Sequence, residues 1–178
     1  MVDTLALRAM SPRRLRLPLA VAAVLLPLSG CAATVALEPA PQATAVGCAE
    51  VSVRLPSVVA EQAERETNAQ GTAAWGSPAG IILHCGVESP GPTTLPCVEV
   101  NQVDWILDDS RAAENLYTFT TFGRDPAVQI TVDQSQASGS SALVDLASAV
   151  STVPSTKQCT DISDTGVLNT TPTPAPAS

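Results

Sequence analysis

An α+β fold is predicted: a single small domain with an antiparallel sheet of five or six strands, two helices and disulfide support. Three features carry it. Short apolar runs of strand length are divided by Pro, Gly and Asp turns, two stretches show helical spacing, and four cysteines lie inside the region with these patterns. Aromatics make up only 3% of the chain. A core of small side chains buries little apolar area per residue, so covalent support matters more here than in an aromatic-rich domain.

Taken in order, "VSVRLP" alternates Val51, Val53 and Leu55 on one face before Pro56, which reads as a strand. Ser57 is placed to cap a short helix over Val58 to Thr67, with Glu61 and Arg65 four apart for a surface pair and Val59 with Ala63 facing inward. "QGTAAWGSP" reads as loop, and "AGIILHC", Ala79 to Cys85, as a central strand because it is apolar throughout. In "CVEVNQVDWILDD" the apolar positions change parity between Val100 and Val103. A period of two cannot cross that change without a turn or bulge, so a tight hairpin is expected at Asn101-Gln102. "LYTFTTF" (116 to 122) and "AVQITVD" flank the turn "GRDP" (123 to 126), and residues 141 to 150 place Leu143, Leu146, Ala147 and Val150 at helical spacing.

The ends differ from this middle. Arg13, Arg14 and Arg16 precede the twelve-residue apolar run "LPLAVAAVLLPL", too short for a bilayer-spanning helix of about 20 residues. Residues 1–30 therefore read as a secretion signal, started at Met1 or Met10. The run ends in Leu28-Ser29-Gly30-Cys31, which resembles the lipobox of bacterial lipoproteins. By that resemblance Cys31 receives diacylglycerol, the leader is cut before it, and acyl chains such as palmitate hold the mature protein to the outer face of the cytoplasmic membrane. Residues 31–46 then form the lipidated cysteine and a disordered Pro/Ala tether, 47–162 the globular domain, and 163–178 a disordered Pro/Thr-rich tail.

Setting Cys31 aside for the lipid leaves Cys48, Cys85, Cys97 and Cys159, an even number suited to two disulfides in an oxidising compartment. Three pairings exist. Position along the chain favours Cys85 with Cys97, closing the loop between two strands, and Cys48 with Cys159, tying the ends of the domain. The sequence has no Cys-x-x-Cys pair and its one histidine, His84, adjoins Cys85, so no metal site and no cofactor are expected.

From Cys31 onward five basic side chains stand against sixteen acidic ones, which excludes nucleic acid as a partner because phosphate contacts need Lys and Arg. Arg outnumbers Lys eight to one, and abundant Ala and Pro suggest a high-GC bacterial coding sequence. Catalytic patterns are thin. His84 lies inside an apolar strand and reads as structural. Asp104, Asp108 and Asp109 around Trp105 are the acids that a hydrolase or a calcium site would use, yet they read equally as a strand followed by a turn. Arg124 reads as a surface turn residue beside Asp125, and Trp75 as core or as a binding surface. No catalytic residue is nominated.

Taken together, "LPSVVAEQAER", "AAWGSPAGIILHCGVESP", "VNQVDWILDD", "YTFTTFGRDPAVQITV" and "ALVDLASAV" resemble, in order, a family of actinobacterial exported proteins and lipoproteins classified as domain of unknown function 3515. Its most specific pieces here are Trp75-Gly76 with Pro78, Cys85-Gly86-Val87, Val103-Asp104-Trp105 and Thr121-Phe122-Gly123-Arg124. His84 and Gln102 depart from it, standing where arginine and glycine would be expected. The resemblance implies an exported, one-domain protein and no particular activity. The function expected is that of a lipid-anchored cell-envelope protein acting as a non-enzymatic interaction module with an envelope protein partner. The alternatives are a small-ligand or cation-binding module and a hydrolase using Asp104 and Asp108.

Overall fold

The computed structural model describes residues 33–159; the expected leader, Cys31 and the expected Pro/Thr-rich tail lie outside the described residues. Eight strands form one antiparallel sheet: β1 (Val58–Val59), β2 (Gln62–Arg65), β3 (Thr72–Trp75), β4 (Ile81–Val87), β5 (Cys97–Val100), β6 (Val103–Asp108), β7 (Leu116–Thr121) and β8 (Ala127–Asp133). Their order is β1-β2-β3-β4-β8-β7-β6-β5. Two four-stranded meanders thus join through β4 and β8, and the loop 88–96 carries the chain across the sheet from β4 to the far edge. Helices α1 (Val46–Ser52) and α2 (Gly139–Val150) pack on one face of the sheet. The core lies between them, with Trp75, Ile81, Leu83, Trp105, Val128, Ile130, Leu146 and Val150 fully buried.

Five elements match the sequence reading: the central strand β4, the β5–β6 hairpin, strands β7 and β8, and helix α2. The hairpin turns at Asn101 and Gln102, both left-handed (φ 50° and 66°), and pairs Val100 with Val103. Three expectations are corrected. The strand expected at Val51–Leu55 is the end of α1 and the turn after it: Cys48 and Val51, three apart on a helix, are buried, whereas Val53 is 79% exposed. The helix expected over Val58–Thr67 is the β1–β2 hairpin, and the loop expected at "QGTAAWGSP" contains β3. The sheet therefore has eight strands, not five or six.

The segment expected as a tether is not one over its described length. Val35 bridges Thr67 in parallel, its N–H donating to the Glu66 carbonyl (2.8 Å), and Gln42 N–H donates to the Gly86 carbonyl (2.9 Å). Arg65 clamps the start of the segment, donating to Ala33 O at 2.7 Å and to Gly76 O at 2.8 Å. Gly86 (φ +91°) permits this docking, because a Cβ there would run into the backbone of Gln42 and Ala43.

The disulfide pairing is also corrected. Cys48 of α1 bonds Cys85 of β4, and Cys97 of β5 bonds Cys159, with Cα separations of 5.5 and 6.2 Å. The reason is the topology. Cys85 and Cys97 lie in strands four places apart in the sheet, about 19 Å at the usual strand spacing, far beyond the reach of a bridge.

Candidate docking groove

The residues singled out for chemistry are held by structural tasks, each in a different place. Asp104 accepts a hydrogen bond from the Cys159 backbone N–H (3.2 Å), so it fixes the segment that carries the second disulfide. Asp108 accepts from the Ser110 N–H in the turn after β6 (2.9 Å), and the Ser110 bonds hold its carboxyl below the usual range. Asp109 belongs to the same turn, its main-chain carbonyl accepting from Ala112. Four residues apart on one strand, Asp104 and Asp108 are separated by about 13 Å, beyond the roughly 5 to 9.5 Å at which paired acids cleave glycosides. Cys97, Asp104 and Cys159 do converge, with their ligand atoms within 4.8 Å of one another. The two sulfurs are bonded to each other, which leaves the carboxylate alone as a free donor.

Asp133 and Asp145 are likewise engaged. Asp133 accepts from Ser135 N–H and Oγ and from Gln136 Nε2, bonds that depress its pKa and shape the turn into α2. Asp145 on α2 accepts from the Ala60 N–H at 2.8 Å and so holds the β1–β2 turn. His84 faces away from the helices, half-buried between Thr72 and Gln129 on the neighbouring strands; burial lowers its pKa, opposed by a backbone hydrogen bond with Glu38. Trp75 is core, its indole N–H donating to Pro56 O (3.0 Å).

Arg124 is the residue that the sequence placed least well. It is buried at 5% exposure rather than sitting on the surface beside Asp125. Its guanidinium donates to Val153 O after α2 and to Gln102 O in the β5–β6 turn (2.9 Å). Burial lowers its pKa, with Asp104 opposing that effect. Next to it Gly123 (φ +73°) lets the backbone of Lys157 cross so closely that a Cβ would collide with it, and Gly123 O accepts from Thr156 N–H at 2.7 Å.

A groove of about 740 Å³ lies between the sheet end and the start of α2. Val98, Val100 and Phe119 form one side, Ala137 and Leu143 another, and Gln134 to Ser140 supply amides and hydroxyls along the rim. It lies where α2 reaches β5 but leaves Val98 38% exposed. At the helix start Ser138 Oγ accepts from the Ser141 N–H at 3.3 Å, the ordinary capping arrangement. The sequence reading did not single out this groove. The available signal was the short apolar strand "CVEV" after Pro96, which carries no lysine to protect a sheet edge.

No curated protein matches the chain, and no solved structure matches it. The family described as "Protein of unknown function (DUF3515)" matches residues 16–159, a span that takes in every strand, both helices and all four bridged cysteines. The pieces of sequence most specific to the resemblance are those that lock the fold: Trp75 in the core, Gly86 under the N-terminal segment, Gly123 and Arg124 under the C-terminal one. The chain belongs to this family of proteins of unknown function.

Proposed function

We propose that the protein is a cell-envelope lipoprotein, anchored through Cys31 to the outer face of the cytoplasmic membrane, whose domain acts by binding another envelope protein rather than by catalysis. One observation carries the reading: the two bridges use four of the five cysteines, and the fifth is the cysteine of the lipobox. Two disulfides suit an oxidising compartment, and lipidation gives the remaining sulfur a purpose there. Each buried methylene of the lipid contributes about 0.8 kcal/mol, so two or three chains hold the protein firmly.

The anchor in this reading is short. Ala33 is clamped by Arg65 of β2, and Cys31 lies two residues before it, within about 7 Å of chain. The domain is then carried close to the membrane at its β2 end and does not swing on a long tether. An interaction role is favoured over hydrolysis because Asp104, Asp108, Asp133 and Asp145 are each committed to a structural hydrogen bond, and Asp104 and Asp108 stand too far apart to act as a pair.

In-cell cross-linking of the tagged protein, followed by mass spectrometry of what co-purifies, tests this reading with Cys31→Ala as control. A defined partner that is lost in the control is the expected result. Absence of a partner in both forms would contradict it.

A further inference from the structure

We propose that the free edge of β5 receives an extended segment of the partner protein as a ninth strand, and that this segment is apolar with basic residues flanking it. The inference rests on the interaction role argued above and adds the place and the chemistry of the contact.

Sheet topology supplies the first argument. The sheet ends in β1 and β5, and β1 is only two residues long, which blunts that edge. β5 pairs with β6 alone. The two-residue turn makes Val100 and Val103 a bonded pair, and alternation then bonds Val98 to Trp105, so the N–H and C=O of Cys97 and Glu99 point away from β6. Among the described residues nothing else bonds them. Proteins usually protect such an edge with charged side chains, a proline or a bulge; "CVEV" has no lysine, proline or bulge, and Glu99 is its one charge.

The groove supplies the second. Strand addition obtains its strength from main-chain bonds and its selectivity from pockets that take alternate side chains. Val98, Val100 and Phe119 line an apolar floor beside the free edge, while Gln134 and Ser138 on the rim offer polar groups to a backbone lying opposite β5. That combination fits an extended chain, whose second edge keeps unpaired N–H and C=O groups.

Charge supplies the third. No charged side chain lines the groove; the negative charge of the edge is Glu99, which lies on β5 on the face opposite Val98 and Val100, where a ninth strand would set a side chain beside it. Arg124 is buried, Arg65 is bonded at β2, Arg54 donates to Glu50 O on α1 and Arg111 pairs with Glu114, which leaves Lys157, two residues before the bridged Cys159, as the one basic side chain carried near β5 among the described residues. A segment with lysine or arginine at its ends complements this surface and an acidic one does not.

The test uses the 15N-labelled full-length mature protein in detergent micelles and the peptide acetyl-Lys-Val-Thr-Val-Thr-Val-Lys-amide as probe. Saturable changes at the amides of residues 97–100 and 137–140 are expected, with at least tenfold weaker binding when glutamates replace the lysines. Val98→Lys should abolish the changes. N-methylation of alternate peptide amides should do the same without altering the protein, so a variant that fails to fold does not end the test. No change at β5, or equal binding of the acidic peptide, would overturn the proposal. So would β5 amides protected by a second copy as protein concentration rises, β5 amides freed only by truncation after Cys159, or changes confined to Phe119 and Leu143, which mark a small ligand. In cells, a partner kept by Val98→Lys but lost by Cys31→Ala overturns the groove and leaves the interaction role standing.

Discussion

Gly123 and Arg124 show how two adjacent residues can hold the end of a domain. The glycine makes room for the Lys157 backbone, and the guanidinium joins the turn of one hairpin to the carbonyl that follows α2. Gly123→Ala combines a strained φ with a backbone collision and should cost about 2 to 4 kcal/mol in urea unfolding. Arg124→Met should cost about 2 to 3 kcal/mol, since it leaves two carbonyls without their charged donor. His84 carries a pH effect. Burial lowers its pKa, so the folded chain takes up a proton less readily than the unfolded one, and stability falls as pH drops below the unfolded value of about 6.5. His84→Gln should flatten the decline of the urea midpoint between pH 7 and 5; an unchanged decline would assign it to another group. The importance of these residues was partly visible in the sequence, because Gly123-Arg124 stood out as a specific phrase, but burial of the arginine depends on a carbonyl 29 residues away.

At the level of elements, legibility followed locality. The β5–β6 hairpin was readable because the parity change between Val100 and Val103 lies within the hairpin itself. The β1–β2 hairpin was not. Its turn residues, Ala60 and Glu61, are good helix formers held at positive φ (45° and 64°), and the Asp145 carboxylate that fixes the turn comes from 85 residues away. The same limit applies to α1, where three alternating apolar residues suggested a strand until Cys48 and Val51 were seen to be buried together. The groove was illegible for a related reason: it depends on where α2 stops covering the sheet. Gln102 offers a test of turn strain. Gln102→Gly should stabilise the chain by about 0.5 kcal/mol, the left-handed strain relieved being partly offset by greater freedom of the unfolded chain. A loss of stability would mean that the Gln102 side chain contributes more than its backbone geometry costs.

For the molecule as a whole, the two meanders and the two bridges form a matched pair of constraints. Cys48–Cys85 closes a span of 37 residues and Cys97–Cys159 one of 62, side by side in the chain, so each should stabilise by about 4 kcal/mol through chain entropy. Replacing either pair by serine should therefore lower the unfolding free energy by that amount, independently of the other. Cleavage at Glu88 under non-reducing conditions separates Cys85 from Cys97 and should yield the linked pairs 48 with 85 and 97 with 159. The even cysteine number was legible in the sequence, but the pairing was not, because it depends on a loop that crosses four strand positions. The proposed anchoring rests on the remaining cysteine, Cys31. The most direct measurement is the intact mass of the mature chain extracted from membranes, beside Cys31→Ala. A chain whose mass corresponds to a start at Cys31 plus a diacylglyceryl thioether, the thioether being absent from the variant, is the expected result. A chain that keeps its leader, or one cut to Cys31 with no added lipid, would contradict it.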